Sequence, residues 1–408
     1  MRYDVRIVDG VVYDGLGNPG VNSNIYISKN RIQLVSPQKR ISAKDTISAA
    51  GLAVAPGFID THSHSDLQLF SDPFARSKIT QGVTTEIVGQ DGFSVAPVEK
   101  KIQPDLARYL SGLAGSIDDW DWTDFGSYLK RLSKLRTAVN VASLVGNGTV
   151  RAMVVGFDKR QASEGELEQM KSLVAEAMIQ GAVGISSGLI YPTSSYADEN
   201  ELVELCKIAA KYDGVYVTHM RNEADGLIGS VDEALRIARK AQIRLHISHH
   251  KAVGKRNWGK TKHTLMRIES EIERGLSISC DMYPYTAGST MLSALLPPWA
   301  LEGGPKAVRE RLKDPEQRSR IVKELEEGSP GWSSYSQLAG WDKILITYAK
   351  ARTEVEGKSI AQISKEREVP PAQVVIDLLT ESEEAVSMVV FHISEDDLRR
   401  VIAHERST

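Results

Sequence analysis

The chain contains the segment Ala55-Pro56-Gly57-Phe58-Ile59-Asp60-Thr61-His62-Ser63-His64-Ser65-Asp66, in which a short apolar run leads into two histidines separated by one residue. Side chains alternate in direction along a β-strand, so His62 and His64 point the same way and can share one metal ion. Imidazole is a common zinc ligand, and catalytic zinc sites use three protein ligands and leave one position for water. The segment therefore predicts a strand whose carboxyl end carries a metal site.

Six more apolar runs of strand length follow, and most of them precede a helical pattern. The seven runs are residues 54–60, 83–88, 139–145, 182–185, 215–218, 245–248 and 276–280, and the helical patterns include residues 164–180, 199–212, 231–242 and 262–274. Continuous apolar strands that alternate with amphipathic helices indicate βαβ units and a parallel sheet. We therefore predict the α/β class and a (β/α)₈ TIM-like barrel, of which the chain supplies seven strands.

The flanking regions break this rhythm and suggest further parts. Residues 1–54 read as short strands with tight turns at Asp9-Gly10 and at Ser28-Lys29-Asn30. Residues 286–345 are rich in Pro, Gly and Trp and form an insertion, which is either an active-site lid or a packing subdomain. We assign residues 55–285 and 346–408 to the barrel.

Composition excludes several other classes of protein. The 408 residues carry a net charge of −3 with mixed signs, which gives no indication of a nucleic-acid partner. We find no signal-peptide pattern at the start and no apolar run of membrane-spanning length. The two cysteines, Cys206 and Cys280, make a disulfide framework improbable. These features predict a cytoplasmic protein without a membrane partner.

Further histidines stand at the ends of the fifth and sixth predicted strands. His219 ends the run at 215–218, and His249 and His250 follow the run at 245–248. A single buried histidine is usually structural, but a barrel gathers the carboxyl ends of its strands at one face. His249 and His250 point to opposite sides, so one of them is expected to be a ligand. The remaining histidines lack this placement and are interpreted as surface or structural residues: His246, His263, His392 and His404.

Three aspartates also lie at or near strand ends. Asp91 follows the second strand between glycines, Asp281 follows the seventh, and Asp60 lies two residues before His62. Glycine lets the backbone approach a ligand closely, which favours a role for Asp91. Asp60 could support a ligand from behind. An aspartate at a turn is more often a cap, so each of the three also has a structural interpretation.

Together these segments resemble the D-aminoacylase (N-acyl-D-amino-acid deacylase) family of the amidohydrolase superfamily. The matching segments are residues 56–64, 81–97, 184–192, 218–223, 247–254 and 281–286, and the last two (ISHHKAVG and DMYPYT) are the most specific. The resemblance covers nearly the whole chain and implies that residues 1–54 begin a small β-sandwich domain.

The resemblance also implies roles for individual residues. His219 and His249 match the family's tight zinc ligands, and His62 and His64 match a second, weaker metal position. Asp91 stands where the family has a ligating cysteine; a carboxylate is a harder ligand that can hold one ion or bridge two. We therefore expect one or two Zn²⁺ ions. Substrate contacts are implied for Tyr191, Lys251 and Tyr283, with Lys251 facing the substrate carboxylate.

The family's general base, an aspartate on the eighth strand, has no counterpart in these residues. The resemblance implies that residues 401–408 approach that strand, and that the eighth strand and the later sandwich strands are missing from the chain. Asp281 is the only local substitute that we identify as a catalytic carboxylate.

The expected activity is zinc-dependent hydrolysis of an N-acyl-D-amino acid, a small-molecule substrate, to a D-amino acid and a carboxylate. Two alternatives stay open. One is a cyclic amidohydrolase like a dihydroorotase or hydantoinase, although the fourth strand lacks the lysine that those enzymes carboxylate. The other is a non-catalytic amidohydrolase-like protein. The oligomeric state is open.

Overall fold

A computed structural model gives the structure of the chain and describes residues 3–38, 41–111, 115, 117, 120–329, 332, 334–382 and 385–408. The strands are β1 (Tyr3–Val12), β2 (Val21–Ser28), β3 (Arg31–Ser36), β4 (Ala43–Ser48), β5 (Ala53–Val54), β6 (Phe58–Asp60), β7 (Val83–Val88), β8 (Asn140–Ser143), β9 (Val145–Gly146), β10 (Gly184–Gly188), β11 (Val215–His219), β12 (Arg244–Ile247), β13 (Ile278–Cys280), β14 (Ala287–Met291), β15 (Ile344–Tyr348) and β16 (Ser387–Phe391).

The α-helices are α1 (Gln68–Ser71), α2 (Arg76–Ile79), α3 (Gln103–Leu110), α4 (Phe125–Ser133), α5 (Asn147–Val154), α6 (Glu164–Ile179), α7 (Glu199–Ala210), α8 (Leu227–Ala241), α9 (Lys260–Glu273), α10 (Gly304–Lys313), α11 (Pro315–Glu327), α12 (Tyr335–Ala339), α13 (Ile360–Arg367), α14 (Pro371–Glu381) and α15 (Glu395–Ile402). Short 3₁₀-helices lie at Ser194–Tyr196, Lys255–Asn257, Leu292–Leu295, Pro298–Leu301, Trp341–Lys343 and Thr353–Val355. Within the described ranges, no helix combines the length and the apolar character needed to cross a bilayer.

The first five strands form one sheet in a compact unit of Met1–Ile59 and Gln81–Thr84. Its order is β3-β2-β1-β4, and β5 also pairs with β1. The predicted turn between β2 and β3 is confirmed: Ser28 pairs with Arg31, and both Lys29 and Asn30 have positive φ, as a two-residue type I′ turn requires.

The predicted turn at Asp9-Gly10 is wrong. β1 runs straight through both residues, and its register against β2 shifts between Ile7 and Gly10. Asp9 has φ of 66°, so the extra residue forms a β-bulge, which bends a strand without reversing it. The described part of this unit contains a single sheet, and the predicted β-sandwich is not confirmed.

From β6 onward the chain shows the predicted alternation of strands and helices. Sheet order is β6-β7-β8 and β9-β10-β11-β12-β13, and the pairs from β7 to β8 and from β9 to β13 are parallel. Only Leu144 separates β8 from β9; its amide donates to Val88 of β7, while Ser143 accepts from Val183. The two short strands thus take one place between β7 and β10. All seven predicted strands are present, in sequence order.

Local sequence explains where these elements begin. Ser163 caps α6 together with Glu166 in a capping box, and the Asp198 side chain caps α7. All five residues of β10 are buried, as expected of a parallel strand covered on both faces. The predicted helix at 231–242 begins earlier, at Leu227, whose fully buried side chain adds one more turn to the packed face of α8.

The last residues of the chain pair with β13. Ser407 forms a parallel bridge with Cys280, whose amide donates to Arg406 and whose carbonyl accepts from the Thr408 amide, both at 2.9 Å. The Thr408 hydroxyl also lies 3.3 Å from that of Thr61, just after β6. Residues 406–408 therefore lie beside β13 in parallel, and the prediction that the eighth strand is missing from the chain is not confirmed.

The insertion extends further than predicted. β14, β15 and β16 form an antiparallel sheet in the order β14-β16-β15, so residues 344–391 belong with residue 287 onward. A second apolar core, separate from that of the parallel strands, runs from Leu292 to Val390. The boundary predicted at residue 345 and the assignment of 346–391 to the barrel are therefore wrong.

Candidate metal centre

Five side chains from four strand ends converge at one point in the second unit. His62 and His64 follow β6, Asp91 follows β7, His219 ends β11, and His249 follows β12. Their donor atoms form two groups, His62–His64–Asp91 and Asp91–His219–His249, and within each group the atoms lie within 4.8 Å of one another. Asp91 belongs to both groups. The carboxylate is therefore placed to serve two adjacent metal positions.

The distances around Asp91 suit metal ligands better than hydrogen bonds. Oδ2 lies 3.3 Å from His64 Nε2, 3.6 Å from His62 Nε2 and 3.7 Å from His219 Nδ1, and Oδ1 lies 3.8 Å from His249 Nε2. A protein N–H···O bond is shorter. Two donors bound to one tetrahedral zinc at its usual bond lengths are about 3.4 Å apart. The spacing is therefore that of side chains around an ion.

Several buried polar atoms at this point have no hydrogen-bond partner among the described residues. They are Asp91 Oδ1, His62 Nδ1 and both ring nitrogens of His219. Unpaired buried polar atoms cost free energy, so such a group needs a ligand or a solvent partner. Nitrogen and carboxylate donors are the set that zinc binds. The residues present thus fit a zinc ion.

Three of the imidazoles also have a second carboxylate behind them. The other nitrogen of His62 faces Asp281 at 3.6 Å, and those of His249 and His219 face Glu223 at 3.0 and 3.7 Å. A carboxylate behind a ligating histidine fixes its tautomer and raises its basicity. This arrangement indicates which ring nitrogen is free for a metal: Nε2 of His62 and His249, and Nδ1 of His219.

The two outer carboxylates are themselves held by buried partners. Asp281 accepts from the His249 amide at 2.5 Å and lies 2.7 Å from His246 Nε2. Glu223 accepts from Lys251 Nζ at 2.6 Å, and the same ammonium lies 2.9 Å from His249 Nδ1. The outer groups therefore orient the rings and leave them little freedom to turn.

Backbone conformation at the site is unusual and depends on glycine. Asp91 and His249 have φ of 56° and 35°, in the left-handed region that few non-glycine residues adopt. Gly89 and Gly92 flank Asp91, also with positive φ. A methyl group on Gly188 would lie 2.0 Å from the Asp91 carbonyl oxygen. The close passage of β10 thus holds Asp91 in place.

Electrostatics place a proton where a cation would bind. Burial opposes charge on His62, but the facing carboxylates of Asp91 and Asp281 raise the pKa of His62 to about 10. Burial alone would raise the pKa of the Asp91 carboxyl; the charge of His62 and the facing rings of His219 and His249 instead hold that pKa well below its ordinary value. At neutral pH the centre holds the Asp91 carboxylate and a protonated His62. A metal ion bound there would displace the proton of His62.

All the predicted site residues except Asp281 line one cavity. It is bounded by the five central side chains, by Tyr191, Lys251 and Tyr283, and by residues 287–290 of β14. Tyr191 donates to or accepts from the Thr290 hydroxyl at 2.9 Å. Asp281 lies behind His62 and His249, with both oxygens engaged.

The other histidines divide into three cases. His250 points away from the centre, to Thr264 at 2.8 Å, which leaves His249 as the one that faces Asp91. His263 is exposed, and His404 pairs with Glu269 at 3.1 Å. His246 supports Asp281.

Sequence reasoning missed Glu223 and His392 as residues of the cavity wall. Glu223 lies four residues after His219, a spacing that was a usable signal. His392 follows β16, in a region wrongly assigned to the barrel, so no strand-end pattern pointed to it.

Comparison with known proteins places the chain in a family. The Amidohydrolase family profile matches residues 45–281. A D-aminoacylase from Alcaligenes xylosoxydans xylosoxydans is 31% identical over 401 residues, which make up 98% of this chain and 72% of that protein. The chain belongs to the D-aminoacylase family of amidohydrolases.

Solved structures of the family share the fold. N-acyl-D-glutamate deacylase from Bordetella bronchiseptica, complexed with zinc and a phosphonate that mimics the tetrahedral intermediate, superposes with a TM-score of 0.83 at 28% identity. A D-aminoacylase structure that concerns the roles of two metals in a binuclear centre gives 0.81 at 30% identity. Each alignment covers 100% of this chain and 75% of the other. These family members bind metal, in agreement with the predicted class of cofactor.

Replacing Gly188 by alanine should weaken metal binding. The added methyl overlaps the Asp91 carbonyl and must displace that residue, and misplacing a ligand in this way typically costs about 10- to 100-fold in metal affinity. Competition with a chromophoric chelator measures the change. Gly165→Ala in α6 is the control, because nothing lies within 4 Å of the new methyl. Unchanged affinity in folded Gly188→Ala would show that β10 does not position Asp91.

Metal binding should release protons at neutral pH. Because the pKa of His62 is raised to about 10 in the metal-free protein, its ring is protonated below that pH, and an ion bound there must displace the proton. Metal affinity therefore rises with pH between about 6 and 10. Calorimetric titration in buffers of different ionisation enthalpy counts the protons. His62→Ala should release fewer, and equal release from both proteins would contradict the assignment.

Proposed function

We propose that the protein hydrolyses the amide bond of N-acyl-D-amino acids with the help of zinc, releasing a D-amino acid and a carboxylate. The observation that carries the proposal is the position of Asp91, which belongs to two groups of metal donors at once. Its relatives named D-aminoacylase and N-acyl-D-glutamate deacylase supply the class of substrate. The proposed substrate is a small molecule. This chain spans 72% of the length of the D-aminoacylase from Alcaligenes xylosoxydans xylosoxydans.

Asp91, His219 and His249 would hold the first ion, and His62 and His64 with Asp91 the second. When bound, zinc supplies a Lewis acid that polarises the amide carbonyl and lowers the pKa of water toward about 7. The family's cysteine is replaced here by a carboxylate, which has two oxygens to share. One ion suffices for the proposed chemistry; a second would be held by His62 and His64 together with the shared Asp91 carboxylate.

The cavity residues have separate tasks in this proposal. Lys251 and Tyr283 lie side by side, with the ammonium 5.7 Å from the centre of the phenol ring, and offer donors to the substrate. Tyr191 is fixed by Thr290 and closes the side of the cavity near His219, with ring centroids 5.1 Å apart. Burial raises the pKa of both tyrosines well above the ordinary value, so both hydroxyls stay protonated and can donate.

The placement of Asp281 argues against the predicted role as general base. Burial would raise the pKa of this carboxyl, but the charge of His62 and the bond to His246 hold it below its ordinary value. A base needs a free oxygen within reach of the reacting water, whereas both oxygens of Asp281 already have partners. We propose that Asp281 positions His62 and His249.

We infer that the parallel strands close as a (β/α)₈ barrel. The inference is supported by their order along the chain, by the bridge from Ser407 to Cys280 and by the contact between Thr408 and Thr61. Active sites of such barrels lie at the carboxyl ends of the strands, which is where the five donor side chains lie.

The two alternatives receive less support. β10, which the structure describes in full, carries Ser186 and Ser187 and no lysine that could be carboxylated to bridge two metals, as in cyclic amidohydrolases. A non-catalytic protein would not need three histidines oriented by buried carboxylates beside an open cavity.

The proposal is tested with the protein as its source produces it. Zinc-loaded enzyme should hydrolyse N-acetyl-D-amino acids and leave the L-enantiomers intact, lose activity on chelation, and regain it with zinc. His249→Ala should be inactive, whereas the surface variant His263→Ala should match the wild type. Turnover of L-substrates at the same rate, or none by the metal-loaded protein, would overturn the proposal.

A further inference from the structure

Glu86 is a buried carboxylate that neither the metal ligands nor the proposed reaction uses. It lies on β7, and its side chain is 0% exposed. Its Oε2 accepts from the Ser63 hydroxyl at 2.7 Å, and its Oε1 has no hydrogen-bond partner among the described residues. Burying a charged group is costly unless that group is paired. Glu86 is therefore held at a position where a negative charge lowers stability.

A lysine compensates part of this charge and connects Glu86 to a second carboxylate. Lys78 Nζ lies 3.8 Å from Glu86 Oε2 and also donates to Asp60 Oδ2. We call Asp60, Lys78 and Glu86 the Lys78 triad. Replacing a buried ion pair by apolar residues of similar volume is often neutral or stabilising. A contribution to the stability of the fold therefore does not explain the triad.

Both carboxylates of the triad hold the segment that carries two of the metal ligands. β6 ends at Asp60, so this segment lies beyond the regular strand. Asp60 Oδ1 accepts from the His62 amide at 3.1 Å. Glu86 holds the hydroxyl of Ser63, which stands between His62 and His64 in the chain. The triad thus fixes the backbone at the point where the strand has ended.

The directions of the side chains show how this anchoring reaches the ligands. His62 and His64 both face Asp91, whereas Ser63 between them faces Glu86. The Ser63 amide also donates to the carbonyl of residue 87 on β7, at 3.1 Å. Two bonds from one residue to β7 fix the rotation of the backbone there. That rotation sets the direction of the imidazoles on either side.

His64 depends most on this anchoring. The other three rings of the centre each have Asp281 or Glu223 behind them. Among the described residues, by contrast, Asp91 is the only one that places a carboxylate oxygen within 4 Å of His64. A ligating histidine normally has a partner behind it that fixes its orientation. The direction of His64 must therefore come from its backbone, which Ser63 anchors.

We propose that the Lys78 triad positions the second metal position, the one that His62 and His64 form with Asp91, and that Glu86 is its essential member. Glu86 contacts neither the ion nor the substrate and acts through Ser63. The first metal position shares Asp91 but contains no other residue of the anchored segment. The inference rests on the zinc-dependent function proposed above and adds a residue that determines how many ions the centre holds.

Zinc titration of the full chain, stripped of metal by a chelator, tests the proposal. The wild type should bind two ions in separate steps. Glu86→Met and Ser63→Ala each break the bond between the two side chains and should weaken the second step by about 10- to 100-fold, with the first step unchanged. Glu86→Gln keeps an oxygen that can accept from Ser63 and should retain part of the affinity.

Glu201→Gln is the matched control for Glu86→Gln. Glu201 is also a buried carboxylate with one basic partner, Arg151, and with one oxygen that has no partner among the described residues. It lies on α7, outside the wall of the metal cavity. Loss of a buried charge should lower the unfolding temperature of either metal-free variant, but only Glu86→Gln should change zinc binding.

A second background shows whether Glu86 acts on one position alone. His64→Ala removes a ligand of the second position and leaves the first intact. Adding Glu86→Gln to His64→Ala should therefore leave the affinity of the first zinc step unchanged, as expected of residues that act on one site. A further loss in that step would place the effect of Glu86 outside the second position and overturn the proposal.

The remaining outcomes separate this proposal from the proposed function. A wild type that binds no zinc would refute the zinc-dependent function itself. A wild type that binds one ion even at millimolar zinc would overturn the present proposal, because the second position would not exist. Equal weakening of both steps in folded Glu86→Met, or an unchanged second step in both Glu86→Met and Ser63→Ala, would also overturn it.

Discussion

The whole site depends on one buried carboxylate shared among four imidazoles. Asp91 reaches His62, His64, His219 and His249 from a single position, at the end of β7. That position requires a left-handed backbone at Asp91 and a strand, β10, that passes without a side chain at Gly188. Without a cation, the cost of burying Asp91 is offset by the proton on His62. The metal-free protein thus holds a proton at the place that we assign to zinc.

The carboxylates behind the imidazole rings determine how those rings are oriented. Asp281 and Glu223 lie behind three of the rings, and His246 and Lys251 in turn engage the two carboxylates. Such partners decide which ring nitrogen is deprotonated and where it points. A residue that is predicted from the sequence to be a catalytic base can therefore have a positioning role in the fold, as we propose for Asp281.

Much of the fold and of the candidate metal centre was predictable from the sequence, because both follow from the periodic placement of apolar residues. Apolar runs and amphipathic helices located the seven strands, and the histidines at their carboxyl ends located the candidate metal centre. Predictions failed where they rested on the composition of a short segment that fits more than one structure. Asp9-Gly10 has the composition of a turn but forms a bulge. Residues 346–391 were assigned to the barrel, whereas β15 and β16 form a sheet with β14. His392 was missed because only the tertiary fold brings β16 to the cavity.

The central claim is that Asp91 is a metal ligand in the place of a cysteine. Anomalous X-ray diffraction at the zinc edge, from crystals of the zinc-loaded protein, tests it most directly. We predict a peak at about 2.0 to 2.2 Å from an Asp91 oxygen, from His219 Nδ1 and from His249 Nε2. A zinc peak bound by the histidines alone, with the Asp91 carboxylate outside bonding distance, would contradict the account.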